Sequence, residues 1–393
     1  MVLIKRNKEN KRQIPPQVVK SQGDGKDKAT STVEKPSLFQ RYWFFKYLIL
    51  VALAPAFMNH AALSRESREL QPLGELYDVG WGQKLFMGCV GKGRPTVLFD
   101  APTGMSSDAW ALIAPKLAKT TRVCVYDRAG LGFSDRPFIN RSQPDSGKSP
   151  KGGLPYTTEK MVEDFHRLFT GSSKQPGPFL LVGAELGAVN MRFYTQLFDS
   201  DVMGFVSINP LVEGMFDIPE KTWVKHWQGR HTSMLQTLQF LAAVGLSRVA
   251  LILGLMTASP VDSGLVSADV IARQKHLLCK PAHLSSAVEE FYFANESLSQ
   301  MRTLCRIKPF PSHVGVTVVT SGAYSTKPGS EELNRVWSSS QDHMTKVIHA
   351  GSDRVQLPGS AESALFQHAD VIARVIERRV KQWRKPSGGA AKQ

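Results

Sequence analysis

Cysteine is scarce in this chain. There are four, Cys89, Cys124, Cys279 and Cys305, among 393 residues. Their spacing fits no zinc pattern, so neither a metal site nor a cofactor is expected. The body also lacks the interleaved basic and aromatic residues of a nucleic-acid groove, which sets that partner aside. Acidic residues are few at the two ends. Residues 1–41 carry ten Lys/Arg against four Asp/Glu, a balance of +6, and residues 374–393 carry seven against one, again +6. The net charge is +15, which leaves +3 for everything between. The body is close to neutral. Large apolar groups are sparse in residues 1–41, so that stretch reads as a disordered basic tail. Residues 387–393 read the same way, and the polar run Ser142–Gly153 reads as a long surface loop.

What is there begins with an apolar segment, "YWFFKYLILVALAPAFMNHAAL", residues 42–63. About 20 such residues cross a bilayer. Tyr42 and Trp43 open it like an interfacial aromatic pair, and Pro55 is tolerable in a membrane helix. The rival reading is a cleaved signal, which should have a short leader rather than a long polar one. Lys28, Lys35, Arg41 and Lys46 stand before or within the segment. Arg65 and Arg68 are mixed with Glu66, Glu69, Glu75 and Asp78 after it. The positive-inside rule then predicts a single-pass signal anchor with a cytosolic N-terminus and a lumenal or extracellular body. In such a compartment Asn140 and Asn295, each in an N-x-S sequon, are glycosylation candidates. Cys89 and Cys124 lie in apolar runs and read as inert core thiols. Cys279 and Cys305 either pair there or stay as two free thiols.

A short linker, 64–75, leads into alternating elements. "KLFMGCV", "TVLFD", "RVCVYD", "FLLVG" and "GFVSIN" read as strands. Helical patterns follow from Ser106, over Thr157–Phe169 and over Leu186–Leu197. Continuous apolar strands alternating with helices predict a mostly parallel sheet covered on both faces. The rhythm breaks over 214–312, a mostly helical insert, and resumes with "GVTVVTSG", a strand near Arg354–Leu357 and helix Ala364–Trp383. The expected organisation is a core in two parts, 76–213 and 313–386, with a helical lid over 214–312 between them. Within the lid, "LQFLAAVGLSRVALILGLM", Leu238–Met256, is nearly all apolar. It is either a helix that dips into the membrane or lines an acyl pocket, or a buried pair of lid helices.

The block "PTVLFDAPTGMSSDAWALIAPKLAKTTRVCVYDRAGLGFSDRP", followed by "FLLVGAELGAVNMRFY" and "VMGFVSINP", resembles the α/β-hydrolase superfamily in order and spacing. The resemblance implies the α/β-hydrolase fold. It also implies a strained turn after the fifth strand that presents a nucleophile, usually Ser, to a histidine oriented by a carboxylate. Here the turn keeps its frame, Gly183 and Gly187, but carries Glu185 in the centre. The histidine position falls on Glu362, in "GSAE" rather than G-S-G-H. His368, six residues on, reads as a helix-start residue. The loop that should supply the acid, Ser321–Lys327, contains none. Glu213 is a substitute with no histidine to orient. In the oxyanion loop Pro102 has no N–H and a fixed φ. Thr103 and Leu186 stand where the family's two oxyanion-binding N–H groups are, but an anion at Glu185 opposes a second negative charge between them.

Three substitutions at three separate places remove one mechanism. The expectation is a membrane-anchored pseudoenzyme that binds a lipid-like ligand or a protein partner through the former cleft. The alternative is a hydrolase of esters, epoxides or lipids that uses Glu185 and Glu362 as an atypical carboxylate pair.

Overall fold

A computed structural model describes residues 38–137, 154–218, 221–257 and 264–385. The expected tail as far as residue 37, the loop 142–153, Asn140 and residues 387–393 lie outside the described residues. Residues 1–49 and 50–393 form two units. The described part of the first is the opening of α1 (Leu38–Glu69); the second holds the rest of that helix and all other elements.

Eight strands form one sheet in the order β1-β2-β4-β3-β5-β6-β7-β8. They are β1 (Glu75–Asp78), β2 (Lys84–Val90), β3 (Thr96–Asp100), β4 (Val123–Tyr126), β5 (Phe179–Ala184), β6 (Val202–Ile208), β7 (Gly315–Ala323) and β8 (Asp353–Ser360). Pairing is antiparallel for β1–β2 and β2–β4 and parallel from β4 onward. The central strands β3 and β5 are buried at every residue, which is why both read as unbroken apolar runs.

After α1 the helices are α2 (Ala114–Ala118), α3 (Thr158–His166), α4 (Leu186–Leu197), α5 (Thr222–Val224), α6 (Ser233–Ala243), α7 (Leu246–Ile252), α8 (Ala268–Leu278), α9 (Pro281–Ile307), α10 (Glu331–His343), α11 (Ala364–Gln367) and α12 (Ala369–Arg384). Two apolar cores cover the two faces of the sheet. One packs Phe165 of α3 and Met191 and Tyr194 of α4 against Leu98, Leu181 and Phe205. Leu298 and Met301 of the lid helix α9 belong to the same core. The other packs Leu117, Ile372 and Ile376 of α2 and α12 against Val97, Val182 and Val206.

Two of the cysteines, expected as inert core thiols, differ from expectation. Cys89 and Cys124 are joined by a disulfide because antiparallel β2 and β4 set them directly opposite, Cα to Cα 4.1 Å. Cys279 and Cys305 are free. One precedes α9 and the other lies in its last turn. About 24 helical residues put them roughly 36 Å apart, far beyond disulfide reach.

Residues 64–69, expected as linker, continue α1. The segment Phe45–Glu69 is the one described helix long and apolar enough by itself to cross a membrane. Lid elements α5–α6 and α7 meet a similar test only together, across a 91° bend.

Candidate functional site

The turn after β5 has kept its geometry. Glu185 sits at φ +49°, ψ −113°, outside the regions an ordinary side chain prefers. Its N–H donates to the Ile208 carbonyl at 3.1 Å. The two glycines explain how the turn closes. A Cβ on Gly183 would stand 2.3 Å from the Gly187 carbonyl oxygen, and one on Gly187 would stand 2.5 Å from the carbonyls of Asp100 and Ala101. Only glycine permits that approach. Leu186, fully buried, opens α4 directly behind Glu185.

The loop above is fixed by one side chain. Arg128 is buried and uses all its donors: Nε and Nη2 bind the two oxygens of Glu290 at 2.7 Å each, Nη1 binds Asp100, and Nη1 and Nη2 bind the carbonyls of Ala101 and Pro102 at 2.7 and 2.8 Å. Asn190 of α4 holds the other Asp100 oxygen at 2.9 Å. Glu290 comes from α9 and also accepts the Gly104 N–H at 2.8 Å. Bidentate, charge-assisted bonds of this kind are strong and directional. They bind the lid to the loop and leave Thr103 facing Glu185.

Burial pushes the Glu185 carboxyl up to about 7, and the nearby Glu362 charge adds to this. The Thr103 N–H and hydroxyl pull the other way, as does Arg128. The Glu185 carboxyl therefore lies beside Thr103, a position from which a substrate oxyanion would be stabilised in a hydrolase of this fold.

Glu362 follows β8 in a short turn, Ala361–Ser363. Ser325 donates its hydroxyl to Glu362 at 3.1 Å, and Lys327 lies 3.3 Å from its carboxylate. The loop after β7, which holds no acid, thus supplies partners for an anion. Tyr324 in the same loop is buried. Its phenol is raised by burial and then by the charges of Glu185 and Glu362. Glu213 is paired elsewhere, with Arg192 at 2.7 Å. His368 stands at the break between α11 and α12. Asn295 is exposed on α9, whereas its sequon partner Ser297 is buried and accepts the Thr158 N–H.

Sequence reasoning missed two histidines. His226 and His231 of the lid approach Nε2 to Nε2 at 2.9 Å, and the Glu362 charge acts on both. A five-residue spacing puts side chains on different faces of an α-helix. Here Lys225–Thr232 is a π-helical turn, which brings them onto one face; such turns are frequent at functional sites. Burial and then His231 push His226 down to about 4. Burial also lowers His231. Two neutral rings can share one N–H···N bond. Both line a cleft of about 250 Å³ with Arg230, Ser325, Lys327 and Glu362. Trp223, stacked on Trp337 and set edge-on to Tyr324, holds this end of the lid against the core. Among the described residues no group of three metal-ligating side chains converges.

A family profile described as alpha/beta hydrolase fold matches residues 95–244. The epoxide hydrolase CorEH superposes with a TM-score of 0.54 at 13% identity, over 79% of this chain and all of that one. The chain has the α/β-hydrolase fold and is similar over residues 95–244 to the family that this profile describes. YbdG, an uncharacterized protein of Bacillus subtilis, is 20% identical over 164 residues, 41% of this chain and 45% of that protein. An uncharacterized vacuolar membrane protein of Saccharomyces cerevisiae is 30% identical over 107 residues, 26% of this chain and 14% of that protein. The matched part spans less than half the length of either relative.

Proposed function

We propose that this is a membrane-anchored α/β-hydrolase-like protein that no longer hydrolyses, and that binds a lipid-like ligand or a protein partner in the cleft between lid and core. The observation that carries this reading is the Glu185 carboxyl lying beside Thr103. A substrate carbonyl would have to displace that side chain from its position. Among the described residues the candidate bases are engaged as well. His226 and His231 bond to each other, and Glu362 is engaged by Ser325 and Lys327. What survives is a polar cleft with cations on its wall, Arg230 and Lys327, which suits the anionic or polar head of an amphiphile.

In this reading α1 is an uncleaved anchor with its basic side in the cytosol, and the body lies in a lumen or outside the cell. The Cys89–Cys124 disulfide supports that placement, since such bonds persist in oxidising compartments. The carboxylate-enzyme alternative draws on the strained φ of Glu185 and its raised pKa, both common at working sites.

The two readings separate on turnover. Purified full-length protein in phosphatidylcholine nanodiscs is given a panel of nitrophenyl esters and epoxides, beside Glu185→Gln. We expect rates at the buffer background for both. Turnover by the wild type that the variant loses would overturn the proposal. Mass spectrometry of co-purifying lipids would then identify the class of ligand.

A further inference from the structure

The inner half of α1 is built into the lid. Its half-buried or buried positions Pro55, Asn59 and Glu66 recur on one face of the helix. Asn59 is buried. Its amide donates to the carbonyls of Ala242 and Cys279 at 2.9 and 3.0 Å and its oxygen accepts from Arg248. Arg248 in turn grips both oxygens of Glu66, at 2.6 and 2.7 Å, and His276 meets the same carboxylate at 2.9 Å. One level deeper, the turn between α6 and α7 rests on the α1 backbone. Gly245 lies so close that a Cβ there would stand 2.1 Å from the Pro55 carbonyl oxygen.

These contacts set the turn against the apolar band of α1. Leu50, Val51, Leu53, Phe57 and Met58 are exposed, and the next exposed large apolar residue is Leu73. The polar boundary therefore falls at Asn59. Pro55 is four residues below it, about 6 Å at 1.5 Å per residue. The α6–α7 hairpin has the surface such a depth requires. Phe240, Leu246, Ile252, Leu253 and Leu255 are exposed. The one charge in this stretch, Arg248, is neutralised by Glu66, and Ser247 is buried. A helix lying in an interface sinks about 5–10 Å.

We propose that the α6–α7 hairpin is a second, non-spanning membrane contact, immersed in the leaflet nearest the body and held there by the Asn59–Arg248–Glu66 brace. The proposal rests on α1 being the membrane span. Residues 222–243 form one unbroken helical run from His226 and Arg230 at the cleft to the hairpin, about 30 Å in length. The bilayer and the cleft are therefore the two ends of one lid element.

The test is depth measurement by spin label. Ile252→Cys, Leu255→Cys and Phe240→Cys are made in the full chain, with Leu53→Cys on α1 and Ser339→Cys on the exposed face of α10 as controls. Each is labelled in phosphatidylcholine nanodiscs, and the wild-type signal from Cys279 and Cys305 is subtracted. Lipid-immersed labels collide more with oxygen than with a water-soluble nickel chelate. We expect the oxygen-dominated pattern at 252, 255, 240 and 53, and the nickel-dominated pattern at 339. Nickel access at 252, 255 and 240 with oxygen access at 53 would overturn the hairpin proposal alone. Low access to both reagents at the hairpin would place it in a protein contact and overturn it equally. Nickel access at 53 would remove the anchor on which it rests.

Discussion

Two glutamates occupy the two positions where hydrolases of this fold concentrate their chemistry, and their surroundings are opposite. Glu185 is held in a strained turn beneath the Arg128-fixed loop, with burial raising its carboxyl against the opposing pull of the Thr103 groups and Arg128. Glu362 lines the cleft, bonded to Ser325 and to the largely exposed Lys327. The same side chain closes the old centre at one place and decorates the rim of a pocket at the other. The difference teaches that a site without the expected triad residues is not an empty one. Under the proposed function the backbone frame outlasts the chemistry, and each glutamate takes the role that its local solvation allows.

Releasing the loop over Glu185 should break this contrast most severely. Arg128→Ala strands Asp100 and Glu290 as buried, unpaired anions, and removing one partner of such a network costs about 3–5 kcal/mol. Chemical denaturation should show the loss directly. A loss under about 1 kcal/mol would mean that the clamp is not what fixes the loop.

Glu185→Gln acts on the half-buried carboxyl alone. A carboxyl whose folded pKa is raised from 4.5 to about 7 binds more protons folded than unfolded. Its stabilising contribution is whole below 4.5 and is lost as pH rises through 7. Gln carries no such slope. The variant should therefore match the wild type near pH 4.5 and exceed it at pH 8 by about 1–3 kcal/mol. A difference that is flat across that range would mean that the Glu185 carboxyl is not raised in the folded protein.

The smallest effect belongs to Glu362→Gln. Lys327 is 64% exposed, and ion pairs of that kind contribute about 0–1 kcal/mol and weaken in salt. A thermal shift larger than that of Glu185→Gln at pH 8 would invert the comparison.

The fold and the frame of the turn were legible because they are local. Runs such as Phe179–Ala184, and glycines spaced four apart, carry their meaning in adjacent residues. The two carboxylate positions were legible through the family pattern. What escaped depends on geometry that the sequence does not spell out. His226 and His231 meet only because the lid helix takes a π-helical turn. Cys89 faces Cys124 only through the β2–β4 register, and Cys279 is parted from Cys305 by the length of α9. The apolar lid stretch looked the same whether buried or membrane-facing. The exposure of Phe240, Ile252 and Leu255 and the contact with Pro55 and Asn59 are what support the membrane-facing reading proposed above.

The most direct test of the contrast is the protonation of Glu185 itself. Infrared spectra of the wild type minus Glu185→Gln, taken from about pH 5 to about pH 9, isolate that one carboxyl. The account predicts a protonated-carboxyl C=O band that is strong at the acid end and fades with a midpoint of about 7. A band already absent at the acid end would mean that Glu185 is an ordinary solvated anion, and the closed-centre account would be wrong.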